Sequence, residues 1–251
     1  MQEQAVTARR LAPAYKLERH IRKNLMSGIR QFALINTGDR VLLGLSGGKD
    51  SLALLELLGE AAQRSGGKFS LSALHVRMGN IDYETDTSYL KAMADAVGVD
   101  LHIRTAHFTP DRNERRTPCF LCSWHRRKLL FSVAQELGCN KIALGHHQDD
   151  ILRTALMNLT FTGSFSTMPA SLTMRKFPIT IVRPLCMVRE SDLRDWAALR
   201  RYQPLKKRCP YEHLSKRTAI DSVATAMERL NKEARYSLWH ALLKAGCLVE
   251  T

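Results

Sequence analysis

The sequence predicts a doubly wound, mainly parallel α/β sheet with helical additions at its N- and C-terminal ends. Two observations carry this. Short runs of continuous apolar residues, as strands buried on both faces require, alternate with stretches of helical length. The first apolar run also opens directly into a glycine-rich turn, where sheets of this kind bind their ligands. The length agrees: 251 residues, 45% hydrophobic and 25% charged, suit one large domain with small additions and exclude wholesale disorder.

Residues 13–36 read as an amphipathic helix, because Leu17, Ile21, Leu25, Ile29, Phe32 and Ile35 recur at spacings of three and four. Thr37, Gly38 and Asp39 stop it. Residues 40–45 follow as a continuous apolar strand, and residues 51–64 as a helix closed by Ser65, Gly66 and Gly67. A second strand is predicted over 69–76, a helix over 83–97 and a third strand over 101–108. A long helix over 119–137, a fourth strand over 141–146 and a helix over 149–159 complete the alternation. Residues 172–184 read as an edge strand or hairpin, 189–202 as a helix and 218–243 as a C-terminal helical segment. The chain therefore divides into an N-terminal helical segment (1–36), a central sheet domain (37–205) and a C-terminal helical segment (206–251).

Ser46, Gly47, Gly48, Lys49, Asp50 and Ser51 lie between the first strand and its helix. Two glycines let the backbone curl with its N–H groups inward, and the helix dipole favours a phosphate there. Lys49 is suited to pair with phosphate oxygens and Asp50 to hold magnesium through its carboxylate. The run is too short for a Walker A loop and is no G-x-G-x-x-G dinucleotide fingerprint. It resembles the SGGxDS signature of the PP-loop (N-type) ATP pyrophosphatases, whose fold is adenine nucleotide alpha-hydrolase-like. That resemblance implies cleavage of ATP between the α- and β-phosphates, with the second substrate becoming adenylated.

Gly145, His146, His147, Gln148, Asp149 and Asp150 repeat the strand-to-helix logic after the fourth strand. An aspartate here caps the following helix on general grounds. The run is also similar to the GHxxDD element of PP-loop enzymes that act on tRNA. By that likeness Gly145 and His146 line the nucleotide site and Asp149 stands near the magnesium or the acceptor. His75, at the end of the second strand, falls where the family passes the adenine.

Cys119 and Cys122 sit just after Pro118, near the start of a predicted helix that places both thiols on one face. A dithiol switch, half of a structural zinc site and part of an iron–sulfur ligand set all fit the pair. A closed zinc site wants four ligands and no second C-x-x-C exists. Cys209, beside a basic run and a proline, is the best third ligand. Cys139, Cys186 and Cys247 read as small apolar residues.

The order of motifs, from about Leu17 to Cys209, resembles the tRNA 2-thiocytidine synthetase family of PP-loop enzymes. The resemblance implies that Cys119, Cys122 and Cys209 hold a [4Fe–4S] cluster with one iron left open for sulfide; zinc is the alternative. The sequence departs from the family where Glu212 stands in place of a fourth cysteine.

The formal charge of +14 points to a polyanionic partner. Residues 104–128 carry Arg104, Arg112, Arg115, Arg116, Arg126, Arg127 and Lys128 against Asp111 and Glu114, a net +5. Residues 183–217 carry a further net +6, with Lys206, Lys207 and Arg208 beside Cys209. Most of the surplus thus flanks the cysteines rather than the glycine loop. Arg115, Arg116, Arg126, Arg127, Lys206, Lys207 and Arg208 are the expected RNA contacts, through phosphates that position without reading sequence. Trp124, Tyr202 and Tyr211 are candidates to stack on splayed bases, with core packing the equal alternative for Trp124.

With the family likeness, the expectation is an ATP-dependent tRNA-cytidine 2-sulfurtransferase acting in the anticodon loop, at position 32 by resemblance. Lys49, Asp50 and Asp149 are its catalytic candidates. Its partners are ATP with magnesium, tRNA, and a sulfur donor such as a cysteine desulfurase or free sulfide; the family likeness also suggests a homodimer. The alternatives are a PP-loop enzyme adenylating another tRNA base or a small acceptor, and a non-catalytic RNA-binding redox sensor. No run reaches the roughly 18 apolar residues of a membrane span, and the N-terminus lacks an apolar signal core, so a cytoplasmic protein is expected.

Overall fold

The computed structural model describes residues 2–108, 117–209 and 217–250. In chain order its elements are α1 (Gln2–Gln31), β1 (Arg40–Gly44), α2 (Lys49–Arg64), β2 (Ser70–Met78), β3 (Asp82–Tyr83) and α3 (Ser88–Ala96). There follow β4 (Asp100–Ala106), α4 (Pro118–Glu136), β5 (Lys141–Ala143), α5 (Gln148–Thr162), β6 (Ser171–Thr173) and β7 (Thr180–Val182). The chain closes with α6 (Glu190–Leu199), β8 (Lys207–Arg208), α7 (Arg217–Leu230), α8 (Ala234–Lys244) and β9 (Val249–Glu250).

Seven strands form one sheet in the order β4-β2-β1-β5-β7-β6-β9. The five from β4 to β7 are mutually parallel, β6 runs antiparallel to β7, and β9 is parallel to β6. Strand order reverses between β1 and β5, which opens a crevice above their carboxyl ends. At their other ends Asn140 locks the two together: its side chain accepts from Arg40 N at 2.9 Å and donates to Asp39 at 2.7 Å.

Period-two alternation along β1 explains the layers. Leu42 faces α4 and packs with Leu74, Leu130, Val133 and Ile142. Val41, Leu43 and Leu45 belong to the main core, which gathers side chains from α1, α2, α3, α5, α6 and α8. The predicted stripe on α1 is buried at Ile21, Leu25 and Ile29. Each such side chain contributes about 1.5–3 kcal/mol.

Several sequence boundaries move. The first helix begins at Gln2 and runs through Pro13 rather than starting there. The helix predicted over 83–97 keeps only Ser88–Ala96. Asp86 accepts from both the amide and the hydroxyl of Ser88, fixing a turn before it, and Tyr83 instead pairs with Lys207 in the β3–β8 ribbon. Residues 172–184 form a hairpin, and the C-terminal segment is two helices. Among the described residues no helix is long and apolar enough to cross a membrane.

Candidate active site at the strand crossover

The glycine loop bridges β1 and α2 at the crevice and is knitted internally. The Ser51 hydroxyl donates to Gly48 O at 2.9 Å while accepting from Gly47 N at 3.1 Å and from the Ser46 hydroxyl at 3.0 Å. Both hydroxyl protons are thus spent inside the loop, and Ser46 is the more exposed of the two. Gly47 has φ +84°, and a β-carbon there would lie 2.6 Å from Leu205 Cβ, so both its backbone and its surroundings demand glycine. Gly48 is different. Its φ of −80° suits any residue, and a β-carbon would meet nothing closer than Ser46 Oγ at 3.6 Å. A glycine that the fold does not require, over open space at a helix N-terminus, leaves room for a ligand against bare backbone. The first-turn N–H groups of α2 have no intrahelical acceptor. A polyphosphate fits this cradle.

Gly145 closes the crevice from β5. A β-carbon on it would sit 3.1 Å from Ser51 N and 3.2 Å from Asp50 C, so the second loop packs backbone to backbone on the start of α2. His146 is half-buried beside it. His75 is buried, its Nδ1–H donating to Leu45 O at 2.7 Å while Nε2 has no protein partner. Burial, with Arg126 and Arg77 adding to it, holds its pKa below the usual histidine range despite that hydrogen bond. The ring is a neutral acceptor at pH 7.

Lys49 Nζ lies 2.9 Å from Asp50 Oδ1 and 3.7 Å from Glu190 Oε1. Glu190, at the start of α6, also accepts from Arg153 at 2.9 Å. Burial works against its charge, but Arg153 and Lys49 hold its carboxyl below the usual range. The sequence reading missed Glu190, because a glutamate at a helix start looks like a dipole partner.

The two downstream aspartates divide the work. Asp150 accepts from His147 N at 3.1 Å, capping α5. Asp149 is buried, accepting from Glu190 N at 2.8 Å and from Arg235 on α8 at 2.7 Å. Burial alone would raise its carboxyl, yet Arg235 and the Glu190 amide keep it low. It joins three helices and reaches Lys49 through Glu190.

Cys119 lies in the first turn of α4 and Cys122 opens the second, with Thr117 capping the helix by accepting from Phe120 N. Cys122 and Cys209 pack on the same small cluster of Met78, Ile81 and Phe108, so segments far apart in sequence converge there. Cys119, one turn before Cys122, is exposed. Among the described residues no three His, Cys, Asp or Glu side chains come together closely enough to hold a single metal ion. Thiolate sulfur is the donor type shared by iron–sulfur and zinc centres, so the three cysteines are chemically suited to either. Cys139 and Cys186 are buried in the core, and burial pushes the Cys186 thiol up to about 12.

The path between the two centres is short. Leu205 N donates to Gly47 O at 2.8 Å, Lys207 and Arg208 pair with β3, and Cys209 follows. Of the expected RNA contacts, Arg127 and Lys206 are exposed, and Lys207 and Arg208 form β8. Arg126 is half-buried, its Nε buried without a protein partner. Arg115, Arg116 and Tyr211 lie outside the described residues. Tyr202 is corrected as a stacking candidate, since its hydroxyl accepts from Trp196 Nε1 at 2.9 Å and is tied to the buried Glu56, beside Arg200.

This chain belongs to the PP-loop family: the model of the PP-loop domain matches residues 15–207. Within that family it groups with the tRNA-cytidine(32) 2-sulfurtransferases. It is 34% identical to the one from Shewanella pealeana, over 89% of this chain and 73% of that protein. It is 38% identical to the one from Sodalis glossinidius, over 74% and 54%. Among solved structures it is similar to the U34-tRNA thiolase NcsA from Methanococcus maripaludis with its [4Fe-4S] cluster. The TM-score is 0.73 at 26% identity, covering 91% of this chain and 79% of that one.

Proposed function

We propose that the protein is an ATP-dependent tRNA-cytidine 2-sulfurtransferase acting at position 32 of the anticodon loop. The observation that carries the reading is the direct connection, through Leu205 to Cys209, between a nucleotide cradle and the patch on which Cys122 and Cys209 converge. A nucleotide loop alone fits any adenylating PP-loop enzyme; adjoining thiols add a place for sulfur. The relatives' names supply the substrate.

ATP lies with its phosphates over Gly47, Gly48 and the first turn of α2. Lys49 neutralises phosphate charge, and Asp50 holds magnesium. His75 Nε2 accepts a hydrogen bond from the adenine amine, and Gly145 and His146 wall the other side. Asp149 acts by fixing Glu190, and through it Lys49, rather than by touching the phosphates. The cytidine C2 oxygen attacks the α-phosphate, pyrophosphate leaves, and the adenylated oxygen becomes a good leaving group. Cys119, Cys122 and Cys209 would hold the [4Fe–4S] cluster, which would supply sulfide-level sulfur to replace the adenylated oxygen at C2, with AMP as the leaving group. Sulfide comes from a cysteine desulfurase or free in solution, and tRNA makes the cytoplasm the site of action. The working form is a homodimer.

The test is nucleoside analysis of tRNA from cells with and without the gene. Loss of 2-thiocytidine, restored by the wild-type gene and not by Cys122→Ser, is expected. Unchanged 2-thiocytidine would overturn the reading.

A further inference from the structure

The first half of α4 is apolar on two faces, and only one is buried. Leu121 and Cys122 pack inward on Met78, Ile81 and Phe108. Phe120 and Trp124 point outward, 47% and 42% exposed. They are four residues apart, so the helix sets them one above the other. Lys128 continues the stripe, its Nζ 5.4 Å from the Trp124 ring centroid, with Arg127 exposed beside it. The other two tryptophans, Trp196 and Trp239, are buried.

We propose that Phe120, Trp124 and Lys128 form a stacking platform for the unpaired bases of the RNA loop that enters the site. The proposal rests on the tRNA reading above and names the surface that receives the loop. Charge complementarity selects the occupant. α4 carries no acidic residue before Glu136, and cations flank the rings, so the partner is an anion with flat apolar faces. A duplex hides its base faces, whereas an open loop presents them for stacking on aromatic side chains. The stripe starts beside Cys119, so a base stacked on Phe120 lies next to the thiols that serve the sulfur step.

The experiment uses anaerobically purified protein with its cluster, an anticodon stem–loop oligonucleotide and a fully paired RNA of equal length. Trp124→Ala and Phe120→Ala should each weaken stem–loop binding roughly tenfold and leave the paired RNA unchanged. Iron content should stay at the wild-type level, and Trp124→Phe should restore most of the affinity. Because the other tryptophans are buried, stem–loop binding should also quench the wild-type fluorescence and not that of Trp124→Phe. Wild-type affinity in both alanine variants would overturn the platform, as would an equal loss on stem–loop and paired RNA. Intact RNA binding with loss of sulfur uptake from a protein donor alone would overturn it in favour of a protein-docking face. Stem–loop binding that depends on Trp124 without any thiolation would uphold the platform and sink the functional reading instead.

Discussion

Lys49 Nζ stands 2.9 Å from Asp50 Oδ1 at the first turn of α2, and both side chains are only about a quarter exposed. Neighbouring opposite charges at a helix N-terminus, over open backbone, suit a ligand that is itself a cation–polyphosphate pair: on the proposed reading the phosphates would replace Asp50 as partner of Lys49, and the cation would replace Lys49 as partner of Asp50. Lys49→Ala and Asp50→Ala should each lower AMP formation by about a hundredfold or more. Their thermal unfolding should stay near wild type, since a partly exposed pair contributes about 0–1 kcal/mol. Pyrophosphate release in single-turnover assays checks the first point and calorimetry the second.

Gly47 and Gly48 should fail differently. Gly47→Ala puts an L-residue at φ +84° and a methyl against Leu205, so it should destabilise the fold by about 1–3 kcal/mol. Gly48→Ala meets no protein atom within 3.6 Å and should stay within about 1 kcal/mol of wild type while raising the KM for ATP. Urea unfolding alongside ATP titration separates the two.

The cysteines should sort by place. Cys122→Ser and Cys209→Ser should lose the bound iron and its visible absorbance, as should Cys119→Ser. Cys247→Ser, at a side chain bonded to the Phe165 carbonyl, should retain both. Elemental analysis of anaerobic preparations decides it, and iron retained in Cys209→Ser would remove the third ligand from the assignment.

Acid should weaken the fold through His75. Its folded pKa lies below the unfolded value near 6.5, so the unfolded chain takes up the proton first as pH falls. Stability conferred by the neutral ring is complete above that unfolded value and drains away below it, until the folded pKa is reached. The slope from this one group is at most about 1.4 kcal/mol per pH unit. His75→Asn should flatten the stability profile between pH 7 and 5 in urea titrations; an unchanged profile would mean that another group sets it.

The strands near the crevice were legible because a run such as Val41-Leu42-Leu43 is buried on both faces and leaves no polar pattern to misread. The nucleotide loop was legible for a related reason: glycine after a strand and before a helix has few other uses. The β3–β8 ribbon was not, since two-residue strands exist only through a partner more than a hundred residues away. By sequence Trp124 fits a core position as well as a stacking one, and Tyr202 reads as a stacking ring; packing instead shows Trp124 outward and Tyr202 bonded to Glu56.

Residue 205 lies inside the strap that joins Gly47 to Cys209, whose residues are tied in succession: Leu205 to Gly47, Lys206 to Glu84 and Thr85, and Lys207 and Arg208 to β3. One inserted residue there would move Cys209 by about 3.3 Å and turn its side chain to the opposite face of the ribbon. Length, rather than composition, is thus the sensitive variable of this stretch. Random substitutions should be tolerated at its exposed positions, while single-residue insertions and deletions should be purged as strictly as loss of the cysteine itself.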